Sequence, residues 1–341
     1  MTVEIASLLQ AIESDMQQVV CAPELSYAPL YAMLRYHLGW QDAQGAAVAG
    51  RRGKRLRPLL CLLACHAVGS NWQQALPAAT ALELIHNFTL IHDDIEDRGE
   101  TRHDRPTVWT LWGVPQGVNA GDAMWALARR HLLTLSQMGH PAERVLAVVS
   151  MVEESCLELC QGQYLDMASE GDYTIDQERY LRMVRGKTAA LTRACVMAGA
   201  MLGGAAPGLA EQMAVFGLEL GIAFQITDDL LGIWGDSSVT GKSTATDLEA
   251  RKMTLPIIHA LAWERERGQQ ELVTLLRQPP SDGQLVPMLA VLERSGAREV
   301  CQRAIDAAQE RMRDAWHNMH LQGPEAAQLY ELACSLVGRQ F

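Results

Sequence analysis

The chain has 341 residues, 48% of them hydrophobic and 20% charged, which is typical of a globular protein large enough to bury a substantial core. Its formal net charge of −11 and its pI near 5.4 argue against a nucleic-acid partner, so any phosphate site must be local. The N-terminal stretch lacks the features of a secretory signal, and the longest uncharged run, 194–210, is broken by glycine and proline, which argues against a membrane span.

Apolar residues recur at helical spacing almost throughout the chain, and no alternating β-branched run is long enough for a sheet. No repeat, low-complexity tract or linker divides the sequence. We therefore predict a single all-α domain spanning residues 1–341. The eight cysteines include no CxxC pair, which predicts reduced core thiols in a cytoplasmic protein.

The first acidic motif in chain order is HDDIED, His92–Asp97. At about 100° per residue, Asp93, Asp94 and Asp97 share one face of a helix with His86. Clustered carboxylates raise one another's pKa unless a cation lies among them, and oxygen ligands on rigid helices suit Mg²⁺. The motif therefore indicates a magnesium site, although a solvated face with ordinary surface aspartates is the alternative.

The second acidic motif is TDDLLG, Thr227–Gly232, about 135 residues after the first. The same helical arithmetic, at about 100° per residue, puts Asp228, Asp229 and Gln225 on one face with small residues around them. Two such faces turned toward each other would form a magnesium-filled cleft. Magnesium bound in this way keeps positions open for substrate phosphates.

Four basic segments could supply phosphate contacts: GKRLRP, TRHDRPT, RGKT and TGKSTATDLEARK. Each alone is more typical of a solvated helix end than of a ligand site. Together with two acidic helices, they indicate a diphosphate-binding protein. The cationic residues concerned are Lys54, Arg55, Arg57, Arg102, Arg105, Lys187, Lys242 and Lys252.

Taken together, the motifs resemble those of a known protein family. GKRLRP, ELIHNFTLIHDDIED, RPTVW, GKT and FQITDDLLGIWGD with the following TGK, DL and TLP resemble, in order and spacing, the signature segments of the trans-isoprenyl diphosphate synthases, or polyprenyl synthetases, from about Lys54 to Pro256. The resemblance implies a domain of antiparallel helices around a deep central cavity, a homodimer and a cytoplasmic location. It also implies a magnesium-dependent prenyltransferase that joins isopentenyl diphosphate head to tail to dimethylallyl, geranyl or farnesyl diphosphate.

The resemblance also assigns residue roles. It implies that Asp93 and Asp97 hold two Mg²⁺ ions and Asp228 a third, with Asp94 and Asp229 in support. These ions would neutralise the departing pyrophosphate, which itself can accept the proton that is lost in the final step.

The family's substrate contacts carry over in the same way. Arg102, Lys187 and Lys242 resemble its contacts to the allylic diphosphate. The hydroxyl of Thr188 and the amide oxygen of Gln225 correspond to groups that stabilise the developing allylic cation. The resemblance assigns Lys54, Arg57 and His86 to the isopentenyl diphosphate site. The predicted substrate-binding residues also include His103 and Lys252.

The sequence departs from the family pattern at two positions. His103 stands where the family commonly has a second arginine, so we expect a weaker contact to isopentenyl diphosphate or compensation by Arg105. Gly232 stands where the second motif usually has its third aspartate. Asp236 could substitute through water if the helix continues past Gly235.

Product length is predicted from the residues four and five before the first aspartate, Thr89 and Phe88. By resemblance they indicate a short-chain enzyme that makes geranylgeranyl diphosphate, with farnesyl diphosphate as the alternative product. Helical arithmetic turns Phe88 away from Asp93, so a core aromatic is the other interpretation of this residue. The competing functions are a class I terpene cyclase, whose second metal motif differs from DDLLGIWGD, and a non-catalytic regulatory partner.

Overall fold

The computed structural model describes residues 3–48, 53–235, 246–279, 281 and 283–338. Almost all regular structure in these residues is helical, so the all-α prediction is confirmed. The α-helices are α1 Ile5–Val19, α2 Ala28–His37, α3 Leu56–Ala67, α4 Leu76–Glu96, α5 Val108–Trp112, α6 Val114–Leu132, α7 Ala142–Met167, α8 Gln177–Val184, α9 Ala190–Leu202, α10 Pro207–Trp234, α11 Thr246–Glu249, α12 Leu255–Glu266, α13 Glu271–Arg277, α14 Leu285–Arg294, α15 Ala297–Asn318 and α16 Pro324–Val337.

Shorter elements lie between these helices. Turns of 3₁₀-helix occupy Leu25–Tyr27, Trp72–Ala75 and Leu133–Met138, and a π-helical turn spans Arg185–Ala189. The two short strands β1, Thr101–Arg102, and β2, Arg105–Pro106, pair antiparallel.

The two strands are joined by a tight turn at His103 and Asp104. Both residues have positive φ, 52° and 62°, as the two central residues of a type I′ hairpin turn require. The sequence predicted no strand here because a hairpin this short carries no alternating pattern. The hairpin reverses the direction of the chain directly after the first acidic motif.

Residues Met1–Glu153, Ala194–Glu211 and Leu321–Leu329 form one compact unit, here called the first unit. Its central element is α4, which is buried along most of its length and packs against α1, α3 and α6. Helices α3 and α9 approach closely because Gly199 lies against the backbone of Cys61, where a Cβ would come within 2.0 Å of the Cys61 oxygen. These contacts fix the end of α4 that carries HDDIED.

Residues Glu154–Arg193, Gln212–His320 and Tyr330–Phe341 form the second unit. Its described core includes Phe216, Ile226 and Leu230 from α10, all fully buried. Helices α12 and α15 pack against each other, and α12 also contacts α8. Leu255 at the start of α12 and Tyr180 on α8 both donate hydrogen bonds to Asp229, in the part of α10 that carries TDDLLG. The prediction of one domain over residues 1–341 stays a prediction.

Helix α10 is the one described helix that is long and apolar enough to cross a membrane by length and composition. Of its most apolar window, 56% is buried inside the protein, as in the core helix of a globular protein. The cysteines are free, as predicted, but the prediction that they are all core residues is wrong. Cys21 and Cys160 are exposed, the latter because it lies on an exposed face of α7.

Candidate active site

The first acidic motif lies at the C-terminal end of α4. Asp93 is half-buried, whereas Asp97 is exposed and follows the last helical residue, one turn further on. Asp94 is only 4% exposed, and the Nε of Arg102 donates to its Oδ1 at 2.8 Å. Burial raises the pKa of Asp94, an effect that the Arg102 guanidinium opposes. The three aspartates predicted to share one face therefore differ in burial. Asp93 and Asp97 are partly or fully exposed, whereas Asp94 is buried and paired with Arg102.

A basic pocket of about 100 Å³ adjoins this motif within the first unit. Burial and the nearby Arg102 and Arg55 lower the pKa of His37 to about 3. Burial and the nearby Arg57 and Arg102 likewise hold the pKa of His86 well below its usual range. Both imidazoles are neutral near pH 7, so His86 can offer an N–H donor but not a charge. The cationic or imidazole residues that line the pocket are His37, Arg55, His86, Arg102, His103 and Arg105.

Arg55 takes a structural position that the sequence did not predict. It is 6% exposed and starts α3 in the left-handed region, with φ 49°. Its Nη1 donates to Oε1 of buried Glu83 at 2.9 Å. Of the basic residues predicted around it, Lys54 is exposed and Arg57 is half-buried. Arg105 donates to the carbonyls of Tyr36 and Gln41, so its cationic group already has backbone partners.

The RGKT segment forms the π-helical turn, a geometry that is frequent at functional sites. Gly162 on α7 lets the two backbones meet, since a Cβ there would come within 2.1 Å of the Lys187 nitrogen. The Lys187 Nζ consequently reaches Asp166 Oδ2 at 2.5 Å, with both side chains partly exposed. The Lys187 ammonium thus meets Asp166 on α7, whereas the Thr188 hydroxyl in the same turn donates to Gln225 on α10.

The second acidic motif lies near the end of α10. Asp228 is half-buried, whereas Asp229 is 4% exposed and accepts hydrogen bonds from the Tyr180 hydroxyl at 2.5 Å and the Gln225 amide at 2.9 Å. Burial raises the pKa of Asp229 to about 7, and the two hydrogen bonds oppose that rise by stabilising the ionised form. Gln225 also accepts a hydrogen bond from Thr188 at 2.7 Å. The predicted pair Thr188 and Gln225 is therefore brought together.

Gly232 borders a carboxylate from another segment. A Cβ at position 232 would lie 2.1 Å from Oδ2 of Asp247, so this side chain occupies the space that a larger residue at 232 would need. Helix α10 ends at Trp234. The suggested substitute Asp236 and the predicted phosphate ligand Lys242 lie outside the described residues, and Lys252 is exposed.

Phe88 and Thr89 occupy different surroundings on α4. The Phe88 ring is half-buried, with its centroid 5.7 Å from that of His92 and 6.1 Å from that of Trp125 on α6. Thr89 is buried and its hydroxyl donates to the His86 carbonyl at 2.7 Å. Phe88 thus packs toward α6, in keeping with the helical arithmetic that turned it away from Asp93.

Three polar residues at the site had no role assigned from sequence. Asp166, Tyr180 and Asp247 lie 21, 49 and 15 positions from their partners Lys187, Asp229 and Gly232. Pairings of this kind cannot be read from local spacing. Tyr180 carried one usable signal, since it lies near the RGKT segment in a helix that is otherwise mostly polar.

No three described His, Cys, Asp or Glu side chains come together as a metal-binding group. A pair of accessible carboxylates one turn apart still suits Mg²⁺, which commonly binds through one or two carboxylates and completes its shell with water and substrate phosphates. Asp93 and Asp97 form such a pair at the end of α4, and Asp228 offers a single accessible carboxylate. The residues present therefore fit the predicted cation.

Comparison with known proteins agrees with these features. Residues 41–291 match the model of the family described as polyprenyl synthetase. The chain is 39% identical to a geranylgeranyl diphosphate synthase of Mycobacterium tuberculosis, over 96% of this chain and 93% of that protein. It is 37% identical to a (2E,6E)-farnesyl diphosphate synthase of Mycobacterium bovis, over 90% of this chain and 86% of that protein.

A solved structure extends the match to the fold. The crystal structure of a polyprenyl synthetase from Streptomyces coelicolor superimposes with a TM-score of 0.89 at 32% identity, over 98% of this chain and all of that one. The all-α isoprenoid synthase fold predicted from the sequence is confirmed. The chain belongs to the polyprenyl synthetase family. It is a short-chain prenyltransferase, in a family that depends on divalent metal ions and acts on isoprenyl diphosphates.

Proposed function

We propose that the protein condenses isopentenyl diphosphate with an allylic diphosphate to make geranylgeranyl diphosphate, using Mg²⁺ bound by both acidic motifs. The observation that supports this proposal is an arrangement of aspartates that the two motifs share. In each, the first aspartate is partly accessible and the second is buried and hydrogen-bonded: Arg102 holds Asp94, and Tyr180 and Gln225 hold Asp229. An accessible carboxylate beside a fixed one suits cation binding on a rigid helix.

In this proposal Asp93 and Asp97 hold two magnesium ions and Asp228 holds a third. When bound, these ions supply positive charge that neutralises the departing pyrophosphate. Asp94 and Asp229 keep the ends of α4 and α10 in place through their hydrogen bonds. Lys187 adds a cationic contact to the allylic diphosphate, and its ion pair with Asp166 orients the ammonium.

We assign isopentenyl diphosphate to the basic pocket of the first unit. Its lining includes the guanidinium groups of three arginines, which a diphosphate would share with Glu83, Asp94 and backbone carbonyls, and neutral His86, which would add an N–H donor. Lys54 and Arg57 lie next to Arg55 in the chain and would extend this surface. Exposed His103 lines the same pocket, in keeping with its predicted contact to this substrate.

Ionisation of the allylic diphosphate leaves a carbocation, which the oxygen atoms of Thr188 and Gln225 would stabilise. Fixed dipoles aimed at a developing charge lower the barrier because they need no reorganisation during the reaction. Their mutual hydrogen bond of 2.7 Å keeps both oxygens in one place. Once the new carbon–carbon bond has formed, the released pyrophosphate accepts the proton that is lost.

Incubation of the purified protein with Mg²⁺, radiolabelled isopentenyl diphosphate and each allylic diphosphate in turn tests the proposed reaction. We expect label in a twenty-carbon prenyl diphosphate, and no turnover when the metal is removed by chelation. A fifteen-carbon product would support the farnesyl alternative instead. Conversion of the primer to a hydrocarbon without uptake of label would identify a cyclase and contradict the proposal.

Asp247 is proposed as the third acidic side chain of the second motif, in place of Asp236. A methyl group at position 232 would displace the Asp247 carboxylate, which is the movable end of a side chain. Gly232→Ala should therefore fold normally but raise the Mg²⁺ concentration for half-maximal activity about tenfold, as lost outer-shell support does. Metal titration of activity measures this shift.

Gly208→Ala is the matched control, because it lies on the same helix and its Cβ would meet nothing within 4 Å. Its metal requirement should equal that of the unsubstituted protein. An unchanged requirement in Gly232→Ala as well would remove Asp247 from the proposed set.

Product length is proposed to depend on Phe88 and Thr89. The Phe88 ring fills space between α4 and α6 near Trp125, so Phe88→Ala opens a gap that a longer prenyl chain could enter. We expect products longer than twenty carbons from Phe88→Ala and unchanged products from Phe88→Leu, which keeps most of the volume. Chromatography of the dephosphorylated products measures their chain length. Unchanged products from Phe88→Ala would leave the ring with a packing role only.

We further propose a cytoplasmic homodimer. Leu111, Val114 and Val118 follow one another on α5 and α6 and are 39%, 45% and 41% exposed. A second copy of the chain would cover such an apolar row, as exposed patches of this kind mark interaction sites. Sedimentation equilibrium should give twice the 37.5 kDa chain mass, and a monomer across micromolar concentrations would contradict the proposal.

A further inference from the structure

Four side chains of the second unit are connected by a continuous series of hydrogen bonds. The Tyr180 hydroxyl donates to Asp229 Oδ2 at 2.5 Å, Gln225 Nε2 donates to Asp229 Oδ1 at 2.9 Å, and Thr188 Oγ1 donates to Gln225 Oε1 at 2.7 Å. Tyr180 is 2% exposed and Asp229 4%, whereas Gln225 and Thr188 are half-buried. The series of hydrogen bonds thus runs from a buried phenol to two half-buried side chains that carry oxygen atoms.

The donors and acceptors of these four side chains follow one order. Gln225 turns its NH₂ group toward Asp229, whose Oδ1 accepts the hydrogen bond at 2.9 Å. Its carbonyl oxygen then faces Thr188, and the only proton of that hydroxyl is donated to it. Both Gln225 and Thr188 consequently present oxygen lone pairs to their surroundings. A reversed amide would present N–H groups instead, with the opposite dipole.

The Tyr180 hydroxyl is what keeps Asp229 in this orientation. The Leu255 backbone N–H also approaches Asp229 Oδ2, but at 3.5 Å, the limit of a hydrogen bond. Without the phenol, a buried carboxylate with a weakened partner would rotate toward other donors. Oδ1 would then leave the position in which it holds the Gln225 amide.

We propose that Tyr180 is a positioning residue of the reaction. It acts through Asp229 to hold the Gln225 amide in the orientation that turns its oxygen, together with the Thr188 oxygen, toward the allylic cation. This inference rests on the proposed cation-stabilising roles of Thr188 and Gln225. It adds a residue that does not touch the substrate and for which no such role follows from the motifs.

Tyr180→Phe tests the inference because it removes one oxygen atom and leaves the packing surface intact. We expect kcat to fall about tenfold, the effect of losing one hydrogen bond to a charged group, with both KM values unchanged within about twofold. Tyr173→Phe is the matched control, since the Tyr173 hydroxyl donates to the Leu276 carbonyl at 3.0 Å and takes no part in this series of hydrogen bonds. Its kcat should not change.

A spectroscopic measurement separates positioning from general weakening. In protein labelled with ¹⁵N-glutamine, the side-chain NH₂ signal of Gln225, assigned by its loss in Gln225→Ala, should shift in Tyr180→Phe and stay fixed in Tyr173→Phe. Thermal unfolding of Tyr173→Phe should match that of the unsubstituted protein, and that of Tyr180→Phe should stay a single cooperative transition at a somewhat lower temperature, because one buried hydrogen bond is lost. A fixed Gln225 signal in Tyr180→Phe would overturn the inference.

The double variant Tyr180→Phe with Gln225→Ala distinguishes this inference from the proposed function. If Tyr180 acts through Gln225, it should have no further effect once the amide is absent. An equal loss of kcat with and without Gln225 would overturn the positioning role and leave the cation-stabilising role intact. Full kcat in Gln225→Ala alone would refute the proposed role of Gln225 and the inference with it.

Discussion

Replacing Asp228 by alanine is expected to reduce kcat about a thousandfold, with the fold preserved. Asp228 is the accessible carboxylate of the second motif, and a metal ion that stabilises a leaving group contributes several kcal/mol, each 1.4 kcal/mol being about tenfold in rate. Steady-state assays at saturating Mg²⁺ and saturating substrates measure kcat. Calorimetric titration of Mg²⁺ into the protein with bound pyrophosphate should show one ion fewer.

Glu211→Ala is the appropriate comparison for this variant. Glu211 lies on the same helix, is exposed and precedes the second motif by more than four turns, so its loss changes the helix charge equally without touching the motif. Its kcat should remain within about twofold of the unsubstituted value, as expected for a surface substitution. If Asp228→Ala kept more than a tenth of the activity, the proposed role of Asp228 as a metal ligand would be wrong.

The largest stability effect is expected from Glu83→Ala. Glu83 and Arg55 form an ion pair of 2.9 Å in which both side chains are 5% exposed. Removing one partner leaves a buried guanidinium with less compensation, which typically costs about 3–5 kcal/mol. Glu13 approaches the same guanidinium at 3.4 Å and should offset part of this loss. Urea-induced unfolding measures the change in the free energy of unfolding.

An exposed ion pair of the same protein provides the control. Arg182 and Glu178 lie one turn apart at 2.8 Å with side chains 68% and 80% exposed, so Glu178→Ala should change the free energy of unfolding by less than about 0.5 kcal/mol. Glu83→Gln, which keeps the shape and an acceptor oxygen, should fall between the two. A loss below about 1 kcal/mol in Glu83→Ala would show that the pair contributes little to stability.

The helical fold and the acidic motifs were predictable because their signals are local. Asp93 and Asp97, or Gln225 and Asp229, are one helical turn apart, and 100° per residue places them correctly. The same reasoning turns Phe88 away from Asp93, and its ring lies near Trp125 on α6. Residues that share a helix could therefore be related to one another from the sequence.

The contacts made by buried charges were not predictable, since they join distant segments. Arg55 belongs to a basic segment that suggests phosphate binding, yet its guanidinium lies inside the first unit against Glu83. Arg102 and Asp94 were predicted to bind different ligands, and the sequence did not predict that they also pair with each other at 2.8 Å. Each pairing depends on how helices and the short hairpin pack, which residue spacing does not encode.

The π-helical turn Arg185–Ala189 makes the length of its segment critical. A π-turn contains one residue more than a regular α-helix would need, and α8 and α9 continue on either side of it. Deleting one residue would restore a regular α-helix with α8 and α9 in the same relative orientation, so its effect falls on the residues of the turn itself. Tyr180 precedes this turn and Thr188 lies within it, so such a deletion would leave Tyr180 near Asp229 but move Thr188 relative to Gln225. Insertions and deletions should therefore be rare between these two residues among related enzymes.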